Sequence, residues 1–430
     1  MVKIFNPATV SNDGLTELSP DPTSAGRIVL YHASEGKPLA TPWQVALTRS
    51  RMLSECDLPE GFVLDCACGS GIQLAAHMAI LQRPGIGIEL DEQRAQASAF
   101  NLKTIALHRN ESEAEYMEFS RIISGDGRDG EAASSAIAEH FQREEYPAIA
   151  LLHLDPARPR NSRTHGLEEM APRLDEVFAG WSPFLEDGPN GPALLLDLSP
   201  RLSNQQQIDV ERLVDLVWPK IARTWVWTSR GRGRVDRLAL WLGSAAIKGV
   251  ARRFVRIPPN IAEEAHIVSG GSPLSTDLSP VAKRQPPRRG ERISILDAAL
   301  VESGLAEEWL QTVTKSEKIS WGVAGGRRPQ IHHDHPLRLE SPADRHLVQA
   351  TGRVVALVRM KLELSTVDQL VETLLEHDIS KLTLRTNLDP DLQPKLQGAL
   401  DRQLSRRHGR RDAFLVQQSG DEMLLICVAE

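Results

Sequence analysis

The chain has 430 residues, of which 41% are hydrophobic and 25% charged, with a formal net charge of −7. That length exceeds one ordinary core, so two or more domains are expected. The acidic balance excludes a polyanion binder that works by overall charge, and four cysteines exclude a disulfide framework and fit a reducing compartment.

The N-terminus, Met1-Val-Lys-Ile-Phe-Asn-Pro7, has neither a long apolar core nor a small-residue cleavage site, and no stretch reaches the length of a membrane helix. A cytoplasmic protein is expected. Residues 1–60 read as an N-terminal helical extension. Thr41 can cap a helix whose first turn accommodates Pro42, with Val45, Leu47, Met52 and Leu53 as its apolar surface.

Over residues 61–245, short apolar runs alternate with helical segments. The strand candidates are Phe62–Leu64, Gly85–Leu90, Ile122–Ser124, Ile149–Leu154, Ala193–Leu196, Thr224–Thr228 and Leu238–Leu242. Such runs separated by helices predict an α/β fold with a seven-stranded, mostly parallel sheet. The last two runs flank the Arg/Gly turn at 229–236 and predict an antiparallel hairpin at the end of the sheet. Residues 246–343 read as a Pro/Gly-rich connector holding one amphipathic helix, Ile295–Val313. Residues 344–430 predict a small α+β domain. Its strands are Arg353–Val358 and Lys381–Arg385, its helices Val367–His377 and Asp389–Arg407, and its closing hairpin Ala413–Gln417 with Glu422–Val428.

The chemistry concentrates in Asp65-Cys-Ala-Cys-Gly-Ser-Gly71. A turn from strand to helix that passes under a cofactor needs close backbone approach, which Gly69 and Gly71 permit; Cys68 and Ser70 complete the loop. The Gly-Lys-Ser/Thr of a phosphate-binding loop is absent. So is the third glycine of a dinucleotide fingerprint, since Ile72, Gln73 and Leu74 follow Gly71. Asp65 would repel a pyrophosphate and suits a cationic nucleoside, S-adenosylmethionine. Glu89, at the end of the second strand, can accept both ribose hydroxyls. Asp126, after the third strand, can receive the adenine amine or hold a turn. Asp155, after the fourth strand, points to the reaction centre and can position or deprotonate an acceptor. Arg158, Arg160 and Arg163 can meet a substrate phosphate.

Metal binding is not expected. Cys66-Ala-Cys68 has no second Cys/His pair nearby, and His332-His333-Asp334-His335 follows a Gly/Arg/Pro loop. Basic islands at 229–234, 283–292, 325–328 and 406–411 are solvated loops or local contacts to a nucleic acid.

Val63-Leu-Asp-Cys-Ala-Cys-Gly-Ser-Gly71 resembles the first motif of class I S-adenosylmethionine-dependent methyltransferases. Gly87-Ile-Glu-Leu-Asp91 resembles the second, Gly125-Asp126 the third and Asp155-Pro-Ala-Arg158 the fourth. The resemblance covers about half the chain. More narrowly, the chain is similar to bacterial and archaeal methyltransferases with a C-terminal THUMP-like domain. Thr41-Pro42, Asp155-Pro-Ala-Arg158, Asp197-Leu-Ser-Pro200 and the segments Val354-Val-Ala-Leu357 and Leu424-Leu-Ile-Cys-Val428 carry that likeness.

The resemblance implies a Rossmann-like methyltransferase fold and an enzyme using S-adenosyl-L-methionine. Asp65, Cys68, Gly69, Ser70, Gly71, Glu89, Asp126 and Asp155 would bind the cofactor, Asp155 and Arg158 would be catalytic, and tRNA or rRNA would be the substrate. The Pro-rich connector and Arg158-Pro-Arg160 depart from the pattern. Methylation of a pyrimidine at C5 is disfavoured, because Cys427 alone follows Cys68. Arg158 stands where exocyclic-amine methyltransferases place an aromatic, which leaves ring-nitrogen and ribose acceptors open. The alternatives are a protein or small-molecule acceptor, or a non-catalytic RNA-binding scaffold.

Overall fold

The computed structural model describes residues 2–17, 28–33, 41–157, 166–231, 233–260, 263–274, 287–314, 319–418 and 422–430. Its larger sheet has ten strands. In chain order these are β1 (Lys3–Phe5), β2 (Phe62–Asp65), β3 (Gly85–Glu89), β4 (Arg121–Ser124), β5 (Ile149–Leu154), β6 (Leu194–Leu198), β7 (Arg223–Ser229), β8 (Arg237–Leu242), β9 (Arg252–Arg256) and β10 (His266–Gly270). Across the sheet they lie β1-β4-β3-β2-β5-β6-β8-β7-β9-β10. Strands β4, β3, β2, β5 and β6 are parallel neighbours, and β8 runs antiparallel between β6 and β7.

All seven expected strands form, but the sheet is larger and more mixed than the expected seven. Its N-terminal edge gains β1, antiparallel to β4, so residues 1–60 supply a strand as well as a helix. Its other edge gains β9, parallel to β7, and β10, antiparallel to β9. The β7–β8 hairpin therefore lies inside the sheet and does not close it. Arg252-Arg-Phe-Val-Arg256 hid β9 behind three arginines. The Arg252 guanidinium reaches the carbonyls of Ser272 and Ser303, each at 2.8 Å, which satisfies a charge that burial would otherwise penalise.

Helix α1 (Trp43–Leu53) and helix α2 (Ile72–Leu81) pack together on one face of this sheet, with α3 (Glu92–His108) beside α2. The side chain of Asp91 caps α3 by accepting from the Arg94 N–H at 2.9 Å. Leu64, Leu152, Leu194 and Leu196 are wholly buried on the opposite face.

A second sheet holds seven strands: β11 (Arg292–Leu296), β12 (Ser320–Val323), β13 (Gln330–His333), β14 (Val348–Arg359), β15 (Ile379–Leu384), β16 (Arg411–Gln417) and β17 (Met423–Ala429). Their order is β12-β13-β11-β14-β17-β16-β15. Helices α4 (Val367–Glu376) and α5 (Leu392–Leu404) bury Leu370, Leu374, Leu396 and Leu400 against it. The ladders cross the boundaries expected at 245/246 and 343/344, because β9 and β10 extend the first sheet and β11 pairs with β14. The expected helix Ile295–Val313 is also revised. Ile295 and Leu296 end β11, and two helices follow, Ala298–Glu302 and Ala306–Thr314, parted at Gly304 with φ +68°. The sheets share one core, where Trp225 and Phe254 belong with Leu296, Leu300 and Trp309.

Candidate functional site

The chain leaves β2 toward β3 and β4 on one side, and β5 and β6 lie on the other, so strand order reverses between β2 and β5. In open α/β sheets that reversal opens a crevice beyond the carboxyl ends of the strands. Asp65 opposes His153 across the β2–β5 ladder, and His153 opposes Leu195 on β6. With a side-chain period of two, Asp65, His153 and Asp197 share one face at this crevice.

Together they form a buried polar chain. His153 Nδ1 lies 2.9 Å from Asp65 Oδ2, and His153 Nε2 lies 3.2 Å from Asp197 Oδ2. Arg49, from α1, donates to both oxygens of Asp197 at 2.7 Å and to Gln73 Oε1 at 2.9 Å. Gln73 continues to His77 at 3.2 Å, and His77 Nδ1 meets Ser50 Oγ at 3.0 Å. All of these side chains are buried.

Burial alone would strip the proton from His153, but Asp65 and Asp197 override it and raise its pKa to about 10. It is therefore an imidazolium at neutral pH. Burial pushes Asp197 up, but Arg49 and His153 hold it well below the usual carboxylate range. Burial, aided by His153 and Arg49, keeps His77 neutral. The charges alternate along Arg49, Asp197, His153 and Asp65, so each buried ion has an opposite partner.

The Asp65–Gly71 bend caps this chain. Gly69 has φ +53° and Gly71 φ +74°, left-handed angles that favour glycine. Their roles differ. A Cβ on Gly69 would meet only the Ala67 carbonyl at 3.9 Å, so its outer side is open. One on Gly71 would lie 2.4 Å from Ser98 Oγ and 2.8 Å from Leu102 Cδ1, so Gly71 lets α2 begin against α3. The Ser70 carbonyl is tied to α3 by Asn101 Nδ2 at 2.9 Å. The Cys68 thiol is buried 3.4 Å from Ser98 Oγ and pushed far up by burial, so it is a packing group and not a nucleophile.

Glu89 ends β3 beside the bend. Burial raises its pKa, and the backbone N–H groups of Asp91 and Gly69 partly offset that. Leu90, next to it, is 77% exposed, an apolar flank to this acid. Next to Gly125, whose N–H donates to the Glu89 carbonyl at 3.0 Å, stands the part-exposed Asp126. Arg128 holds it in an ion pair at 2.6 Å and lowers its pKa. Asp155 stands at the end of β5, where burial and the Asp197 charge raise its pKa to about 6 against Arg237, His153 and Arg49. The structure thus gathers Asp65, Cys68, Gly69, Ser70, Gly71, Glu89, Asp126 and Asp155 at the carboxyl ends of β2 to β5 and in the bend after β2. Arg158, Arg160 and Arg163 lie outside the described residues, as do Arg232, Lys283 and Arg284.

Gln73, His77, Arg49 and His153 carry no motif in the sequence that marks them as part of this site. A histidine inside Ile149-Ala-Leu-Leu-His-Leu154 was the available signal, since an ionisable group in a doubly buried strand must have a partner. Among the described residues, no cluster of His, Cys, Asp and Glu has a metal-holding arrangement. His332 and His333 occupy β13, and His333 lies 2.8 Å from Ser294 Oγ. In the basic islands, Arg230 and Arg234 pair with Asp236, and Arg292 with Glu430. Arg406, Arg407, Arg410 and Arg411 are exposed.

No protein-family model and no curated protein matches the chain. Solved structures resemble it weakly. The human methyltransferase 10 domain containing protein is 12% identical, over 49% of this chain and 88% of that one, with a TM-score of 0.34. The O-methyltransferase of Bacillus cereus, in complex with SAH, is 13% identical over 48% and 84%, at 0.31. TrmN of Thermus thermophilus is 19% identical over 46% and 48%, at 0.28. At these scores the likeness carries no argument, and the functional case rests on the chain's own geometry.

Proposed function

We propose that the chain is a class I S-adenosylmethionine-dependent methyltransferase acting on RNA. The observation that carries this reading is the strand order β4-β3-β2-β5-β6-β8-β7 with β8 reversed, which sets the Asp65–Gly71 bend and Glu89 side by side at the reversal of the sheet. The residues there fit this cofactor. Gly69 leaves the bend open to a ligand. The start of α2 offers backbone N–H groups, and Glu89, whose carboxylate already accepts from the Asp91 N–H, is less buried than Asp65 and keeps lone pairs for a ribose diol. The loop has no lysine to pair a phosphate.

Bound there, the cofactor supplies a methyl group activated by a sulfonium. Asp155 would orient the acceptor N–H or O–H and would take its proton as the acceptor displaces sulfur from the methyl carbon, the C–S electron pair leaving with the neutral thioether. Its pKa of about 6 leaves it mostly ionised at neutral pH and basic enough to serve. An RNA acceptor is supported by the second sheet. There Arg345, Lys381 and Arg385, with Phe414 and the carboxylates Asp412 and Glu430, line a cleft of about 580 Å³, and the exposed Arg406, Arg407 and Arg410 in the connection after α5 and Arg411 at the start of β16 add positive charge.

Incubation with methyl-labelled cofactor and tRNA, rRNA or total protein tests the acceptor. Label in RNA is expected, and label confined to protein would end the RNA reading. Two further results are expected. Glu89→Ala should weaken S-adenosylhomocysteine binding by roughly 1–3 kcal/mol in calorimetry, through loss of charge-assisted bonds to ribose. The rate should rise with pH about a midpoint near 6 as Asp155 loses its proton. Asp155→Asn should remove that limb and lower kcat by about 10²–10⁴-fold.

A further inference from the structure

We infer that His153 is the positioning residue that holds the Asp65–Gly71 bend in its ligand-ready shape and so sets the affinity of the site for the methyl donor. The inference rests on the function proposed above. Asp65 was expected to face the cationic end of the cofactor directly. Both of its oxygens, however, already serve the protein: Oδ2 meets His153 at 2.9 Å and Oδ1 accepts the Ala67 N–H at 3.2 Å. Asp65 is thus a strut between β5 and the bend, and the bend's shape depends on what lies at the far end of that strut.

His153 is that far end. It is 2% exposed, too enclosed to touch a ligand. Two carboxylates fix its ring, and the other elements packed around it add charged or titratable groups nearby. Asp65 comes from β2, Asp197 from β6, and Arg49 from α1 through Asp197. His77 comes from α2, with ring centroids 5.6 Å apart, and Asp155 follows two residues on. Arg237, on β8, acts on Asp155 and Asp197. Removing the ring charge leaves Asp65 without its cation and frees the carboxylate to turn. The Ala67 N–H then loses its acceptor, and the loop its anchor.

The test measures S-adenosylhomocysteine affinity by calorimetry for wild type, His153→Gln, Asp65→Asn and the double variant. Each single change should weaken binding roughly tenfold, the scale of one lost buried charged hydrogen bond. The double variant should be no weaker than the poorer single one, because both changes break the same strut. Nitrogen-15 NMR of the wild type should show both His153 ring nitrogens protonated at pH 8, with resonances that shift on saturation with the ligand. Wild-type affinity in His153→Gln, or a double variant about a hundredfold weaker, overturns the inference alone. If His153→Gln does not fold, Asp65→Asn and the NMR titration decide, and unmoved resonances overturn the inference. A wild type that gives no heat with S-adenosylhomocysteine removes the proposed function, and this inference with it.

Discussion

Replacing Arg49 with methionine is expected to lower the unfolding free energy by about 3–5 kcal/mol, the cost of stripping the partner from a buried ion. Arg49 is 4% exposed and Asp197 2%. Its guanidinium meets both oxygens of Asp197 and also supports Gln73. Methionine fills much of the volume, so the loss reports charge and not a cavity. After substitution, Asp197 keeps His153 as its one contacting cation among the described residues, with Arg237 acting from farther away. Urea denaturation at neutral pH measures the change. A loss below about 1 kcal/mol would mean that the ion pair is open to water, as exposed pairs are.

Gly71→Ala should cost about 3 kcal/mol and also reduce cofactor binding. Two effects combine. A left-handed φ of +74° strains any residue with a Cβ. That Cβ would also press on Ser98 Oγ at 2.4 Å and Leu102 Cδ1 at 2.8 Å, forcing α2 away from α3. Gly69→Ala is the informative partner. It carries the φ strain but meets nothing closer than the Ala67 carbonyl at 3.9 Å, an ordinary contact, so its stability loss should be about 1 kcal/mol. Thermal melts of the two variants separate packing from conformational strain, and equal losses would refute the division of roles between these glycines.

The strands β2 to β8 were legible because each is a short apolar run in a sheet buried on both faces. The bend was legible because few residue types tolerate its backbone. The polar chain beneath it was not, for a physical reason. Gln73 and His77 fall off the apolar face of α2 that Ile72, Ala75, Ala76, Ala79 and Ile80 mark at helical spacing. The packing of α1 turns their side inward, and Ser50 and Arg49 satisfy it. The partners are distant in sequence: Arg49 reaches Asp197 across 148 positions. Periodicity carries no information on such pairs. Asp126 is a local case: its carboxylate accepts from the N–H and guanidinium of Arg128, two residues on, the turn that its spacing allowed, and it stands at the carboxyl end of β4 beside Glu89. The edge strands β9 and β10 were obscured because arginine stems can line a core while their charges reach carbonyls at its rim.

The seat itself is tested most directly by a crystal structure of the protein grown with S-adenosylhomocysteine. The ribose hydroxyls are expected on the carboxylate of Glu89 and the amino-acid end over the Gly69 turn, with Asp65 still joined to His153. A nucleoside bound elsewhere on the chain, or a bend closed over Gly69 that admits no ligand, would contradict that placement.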